Sequence, residues 1–172
     1  RGEVDPLQDK EHVIRSWVNT IAACKAKLST HSTRIGIAMP GPFEYDEGVS
    51  QISGLHKYEC LFGLNVKKLL AAAMKTEPGN ILLMNDATAF LMGEIEAWAG
   101  KGCENLVGVT LGTGLGSARY KNGKYEEGDL WSFPFRDSRA EEYLCSRWFT
   151  ATYNDRTNQN IQGAKELAAK AS

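Results

Sequence analysis

Between Asp9 and Leu28 the apolar residues Val13, Ile14, Trp17, Val18, Ile21 and Ala22 recur at intervals of three or four with charge between them. That spacing turns one stripe of a helix toward a core. A short run, Arg34 to Met39, follows and stops at Pro40-Gly41-Pro42, which predicts a buried strand ended by a sharp turn. Helical spacing returns in Val66, Leu69, Leu70 and Ala73 over Asn65 to Lys75, and Pro78-Gly79 ends it. Ile81-Leu82-Leu83-Met84 is apolar without interruption, as in a strand covered on both faces. Asp86 falls where that strand gives way to a helix over 87–99, and a helix start favours a carboxylate through its free N–H groups and its dipole.

Past Gly100 the pattern changes to a β-hairpin: Leu106 to Leu111, a glycine turn, Ser117 to Tyr120, and then the hairpin signal Asn122-Gly123. A lobe boundary is therefore expected here, with 1–103 as the remainder of one α/β lobe and 104–172 as the start of a second. Two further helices are predicted, Arg139 to Thr152 and Gly163 to Lys170. Trp17 and Trp98 read as core residues of their helices, whereas Trp131 and Trp148 read either as packing or as rings that face a ligand.

The 172 residues suffice for a core without staples, and 42% hydrophobic residues with a net charge of -1 exclude a disordered chain. The charge balance offers no basic excess for nucleic acid or anionic lipid. No apolar run approaches the ~20 residues of a membrane span, and with no signal peptide the expected location is the cytoplasm. Cys24, Cys60, Cys103 and Cys145 are dispersed, and His12, His31 and His56 do not complete a zinc spacing with them. Reduced thiols filling the core, and no zinc, are expected. The chain opens at Arg1 and closes at Ser172 just after a helical pattern, so both ends read as cuts.

Two features carry chemistry. In Thr110-Leu111-Gly112-Thr113-Gly114-Leu115-Gly116-Ser117 alternating glycines let backbone approach a ligand and turn N–H groups toward one point, and the hydroxyls add uncharged donors. The G-x-G-x-G spacing fits neither the dinucleotide fingerprint nor a P-loop. It reads as a strand-turn-strand phosphate site or as a tight hairpin alone. Asn85-Asp86-Ala87 ends a buried strand, where ligands of open α/β sheets bind. An aspartate there either accepts a proton from a substrate hydroxyl or caps the helix that follows.

These pieces occur in a definite order. Gly36-Ile37-Ala38-Met39-Pro40-Gly41-Pro42-Phe43, Asn85-Asp86-Ala87, Gly93-Glu94 and the glycine turn resemble, in order and approximate spacing, the ROK family of sugar kinases and sugar-responsive repressors. The resemblance runs from about residue 9 to the end. It implies an α/β, actin-like ATPase fold (ribonuclease H-like, hexokinase-type) of two lobes, present here only in part. It implies Asp86 as catalytic base, Asn85 and Glu141 on the sugar, and Thr110, Gly112, Thr113, Gly114 and Gly116 at the phosphates of ATP. Bound Mg2+ is implied for the complete enzyme. The implied partners are a monosaccharide and ATP, with no membrane and no nucleic acid through this segment, and a homodimer is compatible with the sequence.

The departures are equally specific. Where the family has Gly-Glu-x-Gly-His before a zinc-binding cysteine cluster, this chain has Gly128-Asp129-Leu130-Trp131-Ser132 and no cluster. Asp129 then stands for the sugar-contacting glutamate with a shorter reach, and Ser132 replaces the metal-bound histidine. The first phosphate turn would lie upstream of Arg1 and the adenosine site downstream of Ser172, so the 172-residue chain alone is expected to be inactive. The expected function of the complete protein is ATP-dependent phosphorylation of a hexose or amino-sugar hydroxyl, with a sugar-sensing repressor as the alternative and a non-catalytic scaffold as a third reading.

Overall fold

The computed structural model describes residues 2–28, 34–55 and 57–171, and its two compact units meet in sequence between Asn85 and Asp86. His31 and His56 lie outside the described residues.

In the first unit Asp9 caps helix α1 (Lys10–Lys25) by accepting the His12 N–H at 2.7 Å. Strand β1 (Ile35–Met39) is followed by the short antiparallel pair β2 (Phe43–Glu44) and β3 (Val49–Ser50). Helix α2 (Val66–Met74) starts where Asn65 accepts the Lys68 N–H at 2.9 Å and ends at Lys75, whose left-handed backbone stops the ladder. Strand β4 (Ile81–Asn85) then pairs in parallel with β1, Ile35 opposite Ile81 and Met39 opposite Asn85. Parallel neighbours require a crossover, and the stretch that contains α2 supplies it.

One core joins these elements: Val13 and Ile14 of α1, Val66, Leu70 and Ala71 of α2, and Met39, Ile81 and Leu83 of the strands are buried together, with Trp17 at its edge. Both helices lie on the same face of the β1–β4 pair. The other face is open among the described residues, with Gly36 and Ala38 exposed and Leu82 58% exposed. The apolar run of β4 thus corrects the expectation of a strand covered twice, since strand alternation sends Leu82 away from both helices.

The second unit opens with α3 (Asp86–Ala97), which lies on an antiparallel sheet of β5 (Asn105–Leu111), β6 (Leu115–Lys121) and β7 (Lys124–Glu127) in that order. Asn122 and Gly123 between β6 and β7 both have positive φ, 50° and 82°, as the primed hairpin turn demands. Ala87 and Leu91 of α3 and Ala118 of β6 are buried, with Ile95, Leu106 and Tyr120 around them. The lobe boundary read at 103/104 rests on the change of pattern at Gly100. Packing groups α3 with the sheet that follows it, so the compact units divide at Asn85/Asp86.

The remainder differs from its sequence pattern. A single helix is expected over 139–152, but α4 (Ala140–Tyr143) and α5 (Ser146–Thr157) are separate, divided at Cys145. Cys145 is fully buried in an extended conformation, φ -141° and ψ 161°, and burial of that side chain outweighs helix continuity. Ahead of α4, residues 130–132 form a 3₁₀ turn, and β8 (Pro134–Phe135) and β9 (Ser138–Arg139) form a small hairpin. The Arg136 guanidinium at its tip lies over the rings of Phe135, Tyr143 and Trp148 at 5.5, 5.1 and 6.0 Å, a cation–π arrangement that takes up Trp148. Helix α6 (Ala164–Ala171) follows.

Two expectations about the core are overturned. Trp98 is 74% exposed, because it lies beyond the last turn of α3, where the chain leaves the sheet. Of the four free cysteines only Cys145 is buried; Cys24 and Cys103 are exposed and Cys60 is intermediate.

Candidate functional site

The glycine turn joins β5 to β6. Gly112 N–H closes it on Gly114 C=O at 3.0 Å, and Thr110 pairs with Gly116 across the strands. At Gly116 a β-carbon would collide with the Thr110 hydroxyl and stand 3.2 Å from Ala87 Cβ. The absent side chain is therefore what lets the start of α3 sit against the start of β6. At Gly114 the Glu141 carboxylate occupies the place of a β-carbon. Around Gly112, by contrast, nothing lies within 4 Å of a β-carbon position. Gly116 is thus packed against protein on the helix side, Gly114 faces a carboxylate that a side chain would have to displace, and Gly112 faces open space.

The segment 141–146 grips the turn from two sides. Glu141 Oε2 accepts the Leu115 N–H at 3.0 Å. Ser146 donates its N–H and its hydroxyl to Gly112 C=O at 2.8 and 2.7 Å. The break between α4 and α5 makes this grip feasible, since a continuous helix would spend the Ser146 N–H on its own ladder. The Thr113 and Gly114 amides meet no acceptor among the described residues.

Asp86 begins α3 directly behind Ala87, the residue that rests on Gly116. Its carboxylate is exposed, and Oδ1 accepts the Ala87 N–H at 2.9 Å. Asp86 and the glycine turn therefore lie at the same end of the second unit. Asp129 is exposed in a left-handed backbone, φ 50°. A strap fixes it on β6: Gly128 N–H donates to Ser117 C=O at 2.9 Å and Leu130 N–H to Ser117 Oγ at 3.0 Å. Ser132, in the position of the family's histidine, donates its hydroxyl to Asp129 C=O at 3.0 Å.

A third acid joins them that the sequence reading missed. Partial loss of water pushes the Glu127 carboxyl above its ordinary range, and the Asp129 and Asp86 carboxylates push it further. Asp86, Glu127 and Asp129 thus share one electrostatic neighbourhood. Strand alternation past Asn122-Gly123 was the available signal: it puts Tyr125 and Glu127 on the same face, and Tyr120 opposite Tyr125 packs toward α3. Among the described residues no group of three or more His, Cys, Asp or Glu side chains is arranged to hold a metal ion.

Asn85 ends β4 in the first unit, where its Nδ2 donates to Tyr45 Oη at 3.3 Å, and that hydroxyl donates to Met39 C=O at 2.9 Å. The tyrosine, stacked on Phe43 at 5.2 Å, links the ends of the two parallel strands. Tyr45→Phe is expected to lower stability by about 1 kcal/mol, the net worth of such hydrogen bonds. Urea unfolding measures it, and an unchanged midpoint would show that the hydroxyl contributes no net stability.

Comparison with known proteins gives the family and the fold. The ROK family model matches residues 3–130. The glucokinase of Thermotoga maritima is 31% identical over 114 residues, which are 66% of this chain and 34% of that protein. A ROK family glucokinase from Streptomyces griseus, solved with glucose and AMPPNP, superposes with a TM-score of 0.73 at 18% identity, over 90% of this chain and 52% of that one. A ROK family transcriptional regulator, a homologue of the E. coli MLC protein, gives 0.72 at 16% identity, over 90% of this chain and 42% of that one. The chain thus spans about a third of its curated relative and about half of the glucokinase structure. Its fold is the actin-like ATPase fold of those proteins, present in part, and the chain belongs to the ROK family.

Proposed function

We propose that the full-length protein phosphorylates a hydroxyl of a hexose or amino sugar at the expense of ATP. The observation that carries this reading is the packing of Ala87 on Gly116, which brings the one acid at the start of α3 to the same end of its unit as the glycine turn. As the base, Asp86 accepts the proton of the attacking hydroxyl while that oxygen develops its bond to phosphorus. Its exposed carboxylate suits the role, because a base must reach a substrate from the surface of its fold. Asp129 is the acid assigned to orient the sugar, while Glu141 and Asn85 are given to the sugar by the family resemblance alone, Glu141 being hydrogen-bonded to Leu115 and Asn85 to Tyr45.

The turn fits a phosphate through the Thr113 and Gly114 amides and the open space beside Gly112. With Thr110 and Gly116 they would hold the phosphates of ATP. The chemistry supplied by bound ATP and Mg2+ is the phosphoryl group and neutralisation of its charge. The Mg2+ would rest mainly on phosphate oxygens and water, as is usual for that ion. Glu127, whose carboxyl is raised by partial burial and further by the Asp129 and Asp86 carboxylates, lies in the same electrostatic surroundings as the base.

A coupled assay for ADP release, run on the full-length protein with a panel of hexoses and amino sugars, tests the proposal. Turnover with one or more sugars is expected, and the 172-residue chain by itself is expected to show hardly any. Sugar binding without turnover in the full-length protein would overturn the kinase reading. It would favour the sugar-sensing repressor, the reading to which the regulator structure lends support.

A further inference from the structure

The acid that the family resemblance gives to the sugar is hydrogen-bonded to the turn that it gives to phosphate. Glu141 Oε2 takes the Leu115 N–H at 3.0 Å and fills the place of a side chain on Gly114. Of the amides from 112 to 115, that of Gly112 is spent on Gly114 C=O and that of Leu115 on Glu141, which leaves those of Thr113 and Gly114. A phosphate seated on these two would have a carboxylate as its immediate neighbour.

We propose that Glu141 is an internal anion of the glycine turn, a positioning residue that holds the turn when it is empty and competes with a phosphoryl group for the Leu115 amide. This inference rests on the turn being the phosphate site of the proposed function. Three observations support it. The Leu115 N–H is aimed at an anion already, so the turn recognises the charge type that phosphate presents. The carboxylate is seated against the turn, in the place that a β-carbon on residue 114 would take. Glu141 also makes no ion pair among the described residues, whereas Glu142 pairs with Arg139 at 3.1 Å and Arg147 at 3.5 Å, so the Arg147 guanidinium acts on Glu141 only through space. Like charges this close weaken binding by roughly fivefold to tenfold at a half-exposed site. The bound state thus requires the carboxylate to move off Leu115 or to tolerate the repulsion.

Tripolyphosphate titrated into the 15N-labelled 172-residue chain at physiological ionic strength tests this, with the Thr113, Gly114 and Leu115 amide resonances as the readout. Glu141→Gln keeps a carbonyl oxygen for the Leu115 N–H and loses the charge, so the turn retains its shape. Its affinity is expected to be at least about fivefold higher than that of the unaltered chain, while Glu142→Gln stays within about twofold because its charge lies on the arginines. Equal affinities for Glu141→Gln and the unaltered chain would overturn the inference while leaving the phosphate site intact. An equal gain in both variants would reduce the effect to net charge and overturn it as well. If none of the three proteins shows a shift at 113–115, the phosphate assignment of the turn falls, and the role of Glu141 falls with it.

Discussion

Asp86→Asn in the full-length protein is expected to lower kcat by roughly 10²- to 10⁴-fold, the range that a positioned general base contributes. Sugar affinity should stay within about tenfold, because the amide still accepts a hydrogen bond from the hydroxyl and the loss is confined to the transition state. The substitution is a demanding test because Asp86 also starts α3, where its Oδ1 takes the Ala87 N–H. Asparagine is as good at a helix start as aspartate, so the fold is preserved and a loss of rate is not a loss of structure. A second readout comes from Glu127, whose carboxyl is held high partly by the Asp86 charge. With that charge removed its pKa should move down toward the ordinary carboxylate range, which carboxyl-selective NMR titration would detect. Wild-type turnover in the variant would refute the base assignment. Lost turnover with an unmoved Glu127 would refute the shared acidic neighbourhood instead.

The sequence disclosed the elements more readily than the contacts. The starts of α1 and α2 were legible because Asp9 and Asn65 cap them by local chemistry, and the β6–β7 hairpin was legible because Asn122-Gly123 demands one turn geometry. Asp86 and the glycine turn were legible as separate motifs. Their meeting at one end of the second unit depends on Ala87 resting on Gly116, a contact across 29 residues that no local pattern encodes. The hydrogen bond from Leu115 to Glu141 spans 26 residues and was hidden for the same reason. Where local pattern and tertiary demand conflicted, the pattern misled. The helical spacing over 139–152 gave no warning that Cys145 would be buried extended, and Trp98 at helical spacing is a surface residue.

Leu91→Ala is expected to destabilise the second unit by about 2–5 kcal/mol, the cost of truncating a fully buried leucine. Few residues share the burden with it. The buried centre of this unit between α3 and the sheet is Ala87, Leu91 and Ala118, so Leu91 is its one large side chain, with Ile95, Leu106 and Tyr120 only partly buried around it. It also lies directly on the backbone of β5: a β-carbon at Gly108 would stand 3.1 Å from Leu91 Cδ1 and 3.2 Å from its Cβ. Truncation therefore leaves a void over bare strand, which no neighbouring side chain on Gly108 can fill. Since whole domains are stable by only about 5–15 kcal/mol, a loss of this size should release α3 from the sheet and carry Asp86 away from the glycine turn. Hydrogen exchange distinguishes this from general loosening. Amides of β5 and β6 should lose protection by two orders of magnitude or more, while those of β1 and β4, whose core is built on Leu70, Ile81 and Leu83, should keep theirs. Equal loss in both sheets would mean that the two units unfold as one, and unchanged protection in β5 and β6 would mean that α3 is not what holds Asp86 in place.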